Sequence, residues 1–236
     1  MPARPTLPQG AGRPPRTEPW VLGIDEAGRG CVLGPLYVGG FLCPVSRLPE
    51  LPDLGVRDSK LLAPARREAV YRLLTGVGRR LSVRLEPATI DRAVRRGKLN
   101  ELEARAFAEL VRRSRPDRIA LDACDVDAAR FGRRVAKLAA FAGEDDSRHR
   151  ADRDLPVVGA ASIVAKVRRD AALARLARAH GEAIGSGYPS DPRTVAYLER
   201  TLRRAGPAPA WVRASWATTA RVKARLSERT LDAYAP

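Results

Sequence analysis

The sequence predicts a mixed-sheet α/β domain that ends in a basic helical part. Three observations predict it. Residues 20–85 contain three extended apolar segments joined by short links, the pattern of an antiparallel meander. From residue 87 the apolar spacing changes to a helical period, with one more strand-like segment at 118–121. Beyond residue 190 the chain reads as helices rich in arginine. We therefore divide it into a Pro/Arg-rich leader expected to be disordered (1–19), a mixed α/β domain (20–190) and a basic helical C-terminal extension (191–236).

Each element has a local reason. Residues 21–24 form an apolar run that leads into Asp25 and Glu26, and Gly28-Arg29-Gly30 follows as a tight turn. The second strand is expected within 32–42. Residues 44–52 are a Pro-rich loop. Pro64 suits the first turn of a helix over 65–74, because its missing N–H is unpaired there anyway. Residues 80–85 alternate apolar and polar, the period of a half-buried strand. Helices are expected over 87–96 and 100–113. The second shows Leu102, Ala106 and Leu110 on one face, with Asn100 as its cap and Glu103 completing a capping box. A short strand at 118–121 ends at Asp122, and 128–140 reads as helix. Residues 143–154 are polar and loop-like, and 156–158 form a brief apolar segment. The longest helix is expected over 159–180, with Ile163, Val167, Ala171 and Ala174 inward and Lys166 and Arg169 solvated or ion-paired. Residues 187–194 form a turn-rich loop, and Asp191-Pro192 caps and opens a helix over 195–204. A linker (206–209) and a last helix (216–230) finish the chain.

Composition narrows the partners. The net charge is +16 over 236 residues, which points to nucleic acid or another polyanion. Only five of the 43 basic residues are lysine, so part of the arginine excess reflects compositional bias. Between residues 200 and 229, however, Arg200, Arg203, Arg204, Arg213, Arg221, Lys223, Arg225 and Arg229 face only Glu228, a local excess expected to track a phosphate backbone. No apolar run approaches the roughly 18 residues of a membrane span, and no secretory signal is recognisable, so a cytoplasmic protein without membrane contact is expected. Cys31, Cys43 and Cys124 are odd in number and widely spaced, which argues for free thiols and against zinc. Two isolated histidines, His149 and His180, argue against a histidine-based metal site or a Ser-His triad.

The chemistry is expected at the acids that follow apolar segments: Asp25, Glu26, Asp122 and Asp152. Carboxylates converging at one end of a sheet cannot all stay ionised without cations. All-oxygen donor sets favour Mg²⁺ or Mn²⁺, and two such ions about 4 Å apart suit phosphodiester hydrolysis. Asp125, Asp127, Asp145, Asp146 and Asp154 compete for the same roles by pattern alone. Arg29 and Lys60 are candidates for phosphate contact. Tyr188, in a Gly-Tyr-Pro turn, is either a packing aromatic or a platform for a sugar or base.

Read together, Gly23-Ile-Asp-Glu-Ala-Gly-Arg-Gly30 with Gly34-Pro35, Arg57-Asp-Ser-Lys60, Asn100-Glu-Leu-Glu-Ala104, Leu121-Asp122, Ala151-Asp152, Ala160-Ala-Ser-Ile-Val-Ala-Lys-Val-Arg-Arg-Asp170 and Gly187-Tyr-Pro189 resemble ribonuclease HII, the type 2 ribonuclease H. The blocks stand in the family's order and span nearly the whole chain. Val32-Leu-Gly-Pro35, Gly185-Ser-Gly-Tyr-Pro-Ser-Asp-Pro192 and Val212-Arg-Ala-Ser-Trp216 lean to its archaeal and eukaryotic branch. The resemblance implies a ribonuclease-H-like mixed five-stranded sheet flanked by helices. It implies two Mg²⁺ or Mn²⁺ on Asp25, Glu26, Asp122 and Asp152, and hydrolysis of RNA paired with DNA to give 3′-hydroxyl and 5′-phosphate ends. It further implies that Gly28, Arg29 and Gly30 read the ribose 2′-hydroxyl, that Lys60 binds a phosphate, and that Tyr188 supports cutting 5′ of a single ribonucleotide in duplex DNA by a monomer. Cys31 stands where proline is the commoner choice, and the loop before Asp152 is longer than the pattern expects. The tail has no glutamine-led aromatic motif, so no sliding-clamp binding is expected. The sister ribonuclease HIII would lack the Gly-Arg-Gly turn and this tyrosine and would add a folded N-terminal domain. A non-catalytic binder would have no use for four acids facing phosphates.

Overall fold

The computed structural model describes residues 17–56, 62–205 and 207–232. The expected leader lies almost wholly outside these residues, as do Lys60 with the rest of its block and the tail beyond 232. In order the elements are β1 (Trp20–Ala27), β2 (Leu36–Pro44), one-turn α1 (Glu50–Asp53), α2 (Pro64–Leu73), β3 (Arg79–Leu85), α3 (Pro87–Arg95), α4 (Leu99–Ser114), β4 (Arg118–Asp122), α5 (Ala128–Ala139), β5 (Glu144–Arg148), one-turn α6 (Ala151–Asp154), α7 (Pro156–His180), α8 (Pro192–Ala205) and α9 (Ala217–Asp232).

The sheet runs β3-β2-β1-β4-β5. β1, β2 and β3 form the expected antiparallel meander, and β4 and β5 add in parallel. Successive side chains of a strand point to opposite faces, so the sheet separates two apolar cores. Leu22, Ile24, Ile119 and Leu121 pack under α4 and α5 with Phe107 and Phe131. Val21, Ala120, Phe41 and Cys43 pack under α7 with Val157, Val158 and Ala161. A third core joins Val32 and Leu33 to Leu173, Tyr197, Leu198, Val212 and Val222, so the C-terminal helices share their core with the turn after β1.

Helix α7 lies unusually close to the sheet. A Cβ on Gly23 would sit 2.2 Å from the Val157 oxygen, and one on Gly39 would sit 2.4 Å from the Ala161 oxygen. Only residues without a Cβ allow this approach. It brings the first turns of α7 down onto β1 and β2, which matters for the site.

Four expectations change. Residues 143–154 are not a loop: they form β5 and α6, and the 156–158 segment is the first turn of α7, with Pro156 at its start. Asn100 does not cap α4, which begins at Leu99 with no side-chain cap; Arg29 engages both members of the expected capping box instead. The inward face of α7 runs through Arg169, Ala172 and Leu173 rather than Ala171 and Ala174. Arg213 is fully buried, so it is not part of a solvated basic face. The start of α8 is as expected, with Asp191 Oδ1 accepting from the Arg193 N–H at 3.0 Å.

Candidate active site

Asp25 and Asp122 lie on adjacent parallel strands and share the parity of Val21 and Ala120, so both face α7. Asp152 does not end a strand. It sits on α6, which is docked to β4 through the Ala151 N–H and Asp122 Oδ1 at 3.2 Å. The three carboxylates converge, each offering an oxygen within 4.8 Å of the others. Glu26 has the opposite parity and is turned toward α4, where it feels Glu103 and Arg29 as well as Asp25 and Asp122.

This crowding has an electrostatic cost. The Asp25 carboxyl is pushed up to about 7 from its usual 3.8, first by burial and then by the charges of Asp122 and Asp152. The Ser162 hydroxyl and the Glu26 N–H, which bond Asp25, oppose the rise. Ser162 reaches Asp25 because α7 sits so close to the sheet. Burial also pushes Glu26 well above the carboxylate range, with Asp25 and Glu103 adding to it and Arg29 opposing. A divalent cation held by Asp25, Asp122 and Asp152 would offset the repulsion among those three carboxylates. The donor set contains only oxygen and no thiolate, so it fits Mg²⁺ or Mn²⁺ rather than zinc. Burial raises the Cys43 and Cys124 thiols, and the three described cysteines are free.

The competing acids are occupied elsewhere. Asp125 holds Arg130, Asp127 caps α5, Asp145 takes the Ser147 hydroxyl and Asp146 pairs with Arg148. Asp154 is exposed at the end of α6.

Beside the acids stands the glycine turn. Gly28 has φ +92°, in the left-handed region that favours glycine. The Arg29 guanidinium is held by protein atoms: the Cys124 carbonyl at 2.7 Å, Asn100 Oδ1 at 2.6 Å and Glu103 at 3.3 Å. The turn faces Tyr188, whose Cε1 would lie 3.8 Å from a Cβ on Gly30. Tyr188 is half-buried, and its hydroxyl is pushed up to about 12, chiefly by burial. The Arg169 guanidinium lies 4.7 Å from the ring centroid and also donates to the Ser186 carbonyl and to Cys31 Sγ. Arg169 is thus buried as well as ion-paired to Asp170. Sequence reasoning did not single out Ser162, a polar residue among apolar ones on the inward face of α7. It named Glu103 only as part of a capping box and Arg213 only within a basic run and a short motif.

Three converging carboxylates, two on adjacent strands of this sheet and one on α6, beside a glycine turn, fit a metal-dependent nuclease of the ribonuclease H fold. The family model described as ribonuclease HII matches residues 22–219. The chain is 43% identical to ribonuclease HII of Methanocorpusculum labreanum over 214 residues, covering 91% of this chain and 99% of the relative. It is 43% identical to that of Thermococcus kodakarensis over 225 residues, covering 91% and 97%. Among solved structures, ribonuclease H2 from Pyrococcus horikoshii OT3 superposes with a TM-score of 0.81 at 37% identity, covering 89% of this chain and 99% of that one. RNase HII in a PCNA complex from Archaeoglobus fulgidus gives 0.77 at 36% identity, covering 86% and 96%. A Bst-RNase HIII structure with Mn²⁺ shares the fold at 20% identity and a TM-score of 0.75, covering 90% and 71%. The chain belongs to the ribonuclease HII family, metal-dependent nucleases that hydrolyse RNA in RNA–DNA hybrids. Among the described residues, no helix is long and apolar enough to cross a membrane.

Proposed function

We propose that this protein, acting as a monomer, cuts on the 5′ side of ribonucleotides, including a single one embedded in duplex DNA, and leaves 3′-hydroxyl and 5′-phosphate ends. The observation that carries the reading is the convergence of Asp25, Asp122 and Asp152 beside the Gly28–Gly30 turn and Tyr188. Asp25, Glu26, Asp122 and Asp152 are the proposed ligands of two Mg²⁺ or Mn²⁺ ions. When bound, the ions supply an activated water and charge neutralisation at the leaving oxygen.

The protein's own part is placement. Ser162 and the Glu26 N–H orient Asp25. The Gly28-Arg29-Gly30 turn presents backbone to the sugar that carries the 2′-hydroxyl, and the half-buried Tyr188 ring stacks on the next sugar. Lys60 is proposed to contact a phosphate. Residues 191–236 are proposed as a basic extension along the duplex, although Arg200, Arg203 and Arg204 are already paired with Glu182 or Glu199, which weakens their pull on phosphate.

The test is incubation with duplex DNA carrying one ribonucleotide, with Mg²⁺ or with Mn²⁺, and mapping of the ends. A nick 5′ of the ribonucleotide is expected. No cleavage with either metal across a salt series would refute the reading.

A further inference from the structure

The most unusual buried group outside the acid cluster is Arg213. Its side chain is fully buried, and Nη2 has no hydrogen-bond partner. Taking a guanidinium out of water is costly, and an apolar residue would fill the space without that cost. Its bonds go to two carbonyl oxygens rather than to a carboxylate. Nη1 donates to the Arg29 oxygen at 2.8 Å, and Nε donates to the Gly34 oxygen at 3.1 Å.

Both carbonyls belong to the segment that follows β1, and Arg29 is the centre of the glycine turn. A trans peptide is planar, with its C=O and N–H pointing opposite ways. Holding the Arg29 carbonyl from the protein side therefore aims the Gly30 N–H away from the protein side. The described peptides are all trans.

The rest of the surroundings hold Arg213 in place. Its N–H donates to the Val32 oxygen at 2.9 Å, Gly34 N–H donates to Trp211 O at 2.8 Å, and Leu33 bridges Val212. Thr219 Oγ1 donates to the Arg213 carbonyl at 2.9 Å, and the Trp216 ring lies 4.9 Å from the guanidinium carbon. On α3, the buried Asp91 gathers the next two residues. It accepts from the Ala214 N–H at 2.9 Å, the Ser215 N–H at 3.0 Å and the Ser215 hydroxyl at 2.5 Å. Val32 and Leu33 in turn donate to the Gly187 carbonyl, beside Tyr188. The glycine turn, the tyrosine loop and the 211–216 segment are thus one hydrogen-bonded unit.

We propose that Arg213 is a positioning residue for sugar recognition: it fixes the Arg29–Gly30 peptide so that the Gly30 N–H meets the 2′-oxygen of the substrate, and Asp91 holds the loop that carries it. This rests on the reading that the turn contacts the 2′-hydroxyl. It gives the C-terminal extension a role in selecting ribose that differs from backbone binding.

The test compares two duplexes that differ at one sugar, ribose against 2′-deoxy-2′-fluororibose, using the full chain. Wild type is expected to prefer ribose strongly in kcat/KM. In Arg213→Gln that preference should shrink by about ten- to a hundredfold, the cost of misplacing a recognition group by about 1 Å. The metal concentration giving half-maximal rate should stay the same. Arg213→Lys, which keeps a donor for one carbonyl, should recover part of the preference, and Asp91→Asn should lose several-fold. A folded Arg213→Gln with an unchanged preference, or with both substrates slowed equally, would overturn the proposal. If Arg213→Gln does not melt cooperatively, an unchanged preference in both Arg213→Lys and Asp91→Asn overturns it instead. A wild type that does not distinguish the two sugars would mean that the turn does not read the 2′ position, and the underlying reading would fail with it.

Discussion

Replacing Asp25 by asparagine should stabilise the metal-free protein while abolishing its activity. The Asp25 carboxyl rises from 3.8 to about 7 on folding. A raised value means that the folded state holds the proton more tightly than the unfolded chain does. The stability that this provides is complete below the unfolded value and is lost as pH rises through about 7. At pH 8.5 in chelator the folded protein carries an ionised, buried Asp25, and a rise of roughly three units at about 1.4 kcal/mol each sets an upper bound near 4 kcal/mol. The substituted amide removes that charge and keeps an acceptor for the Glu26 N–H. We expect a gain of about 1–4 kcal/mol, or roughly 2–16 °C in Tm for a chain of this length. The assay is thermal unfolding of wild type and Asp25→Asn in chelator at pH 5 and 8.5. The variant should melt higher at pH 8.5, and the difference should shrink at pH 5. With Mn²⁺ or Mg²⁺ the order should reverse, because only the intact cluster gains from the cation. The midpoint belongs to the cluster rather than to Asp25 alone, because neighbouring charges help set it. A variant that melts no higher at pH 8.5, or a difference that ignores pH, would refute the account of crowded carboxylates.

Two further outcomes follow from the same geometry. Ser162→Ala removes the hydroxyl that holds the Asp25 carboxyl down; half-maximal activity should then need several-fold more metal near pH 7 and approach wild type at higher pH, losing about 1 kcal/mol of support, as read from metal titrations at two pH values. Tyr188→Ala should lose about tenfold or more in cutting at a single ribonucleotide, given about 1–3 kcal/mol for an aromatic stack, and much less on long hybrids; equal losses in the two kinetic assays would remove the stacking role.

Several features were legible in the sequence because the physics behind them is local. Alternation revealed β3, Pro64 marked the start of α2, and Asp191-Pro192 marked the start of α8. β5 was not legible. Its residues, Glu-Asp-Asp-Ser-Arg, carry no apolar period, and the segment is a strand because the edge of β4 offers it backbone partners. The Asn100/Glu103 pair looked like a cap because that motif is read from spacing alone. In the fold Arg29, seventy-one residues away from Asn100, takes both side chains. Arg213 looked like one more arginine in a basic run, and only the three-segment packing shows it buried.

The sequence by itself determined the family and the acids worth examining, since short motifs in a fixed order carry that information without any coordinates. The expected convergence of all four acids left out the strand pleat, which turns Asp25 and Glu26, as neighbours, to opposite faces. Only the tertiary structure decided what each face holds. α7 comes close enough, over Gly23 and Gly39, to place Ser162 on Asp25, and α6 brings Asp152 to Asp122. The other face gives Glu26 the buried Glu103 and Arg29. Burial and charge repulsion depend on which distant segments share a face, and no local pattern encodes that.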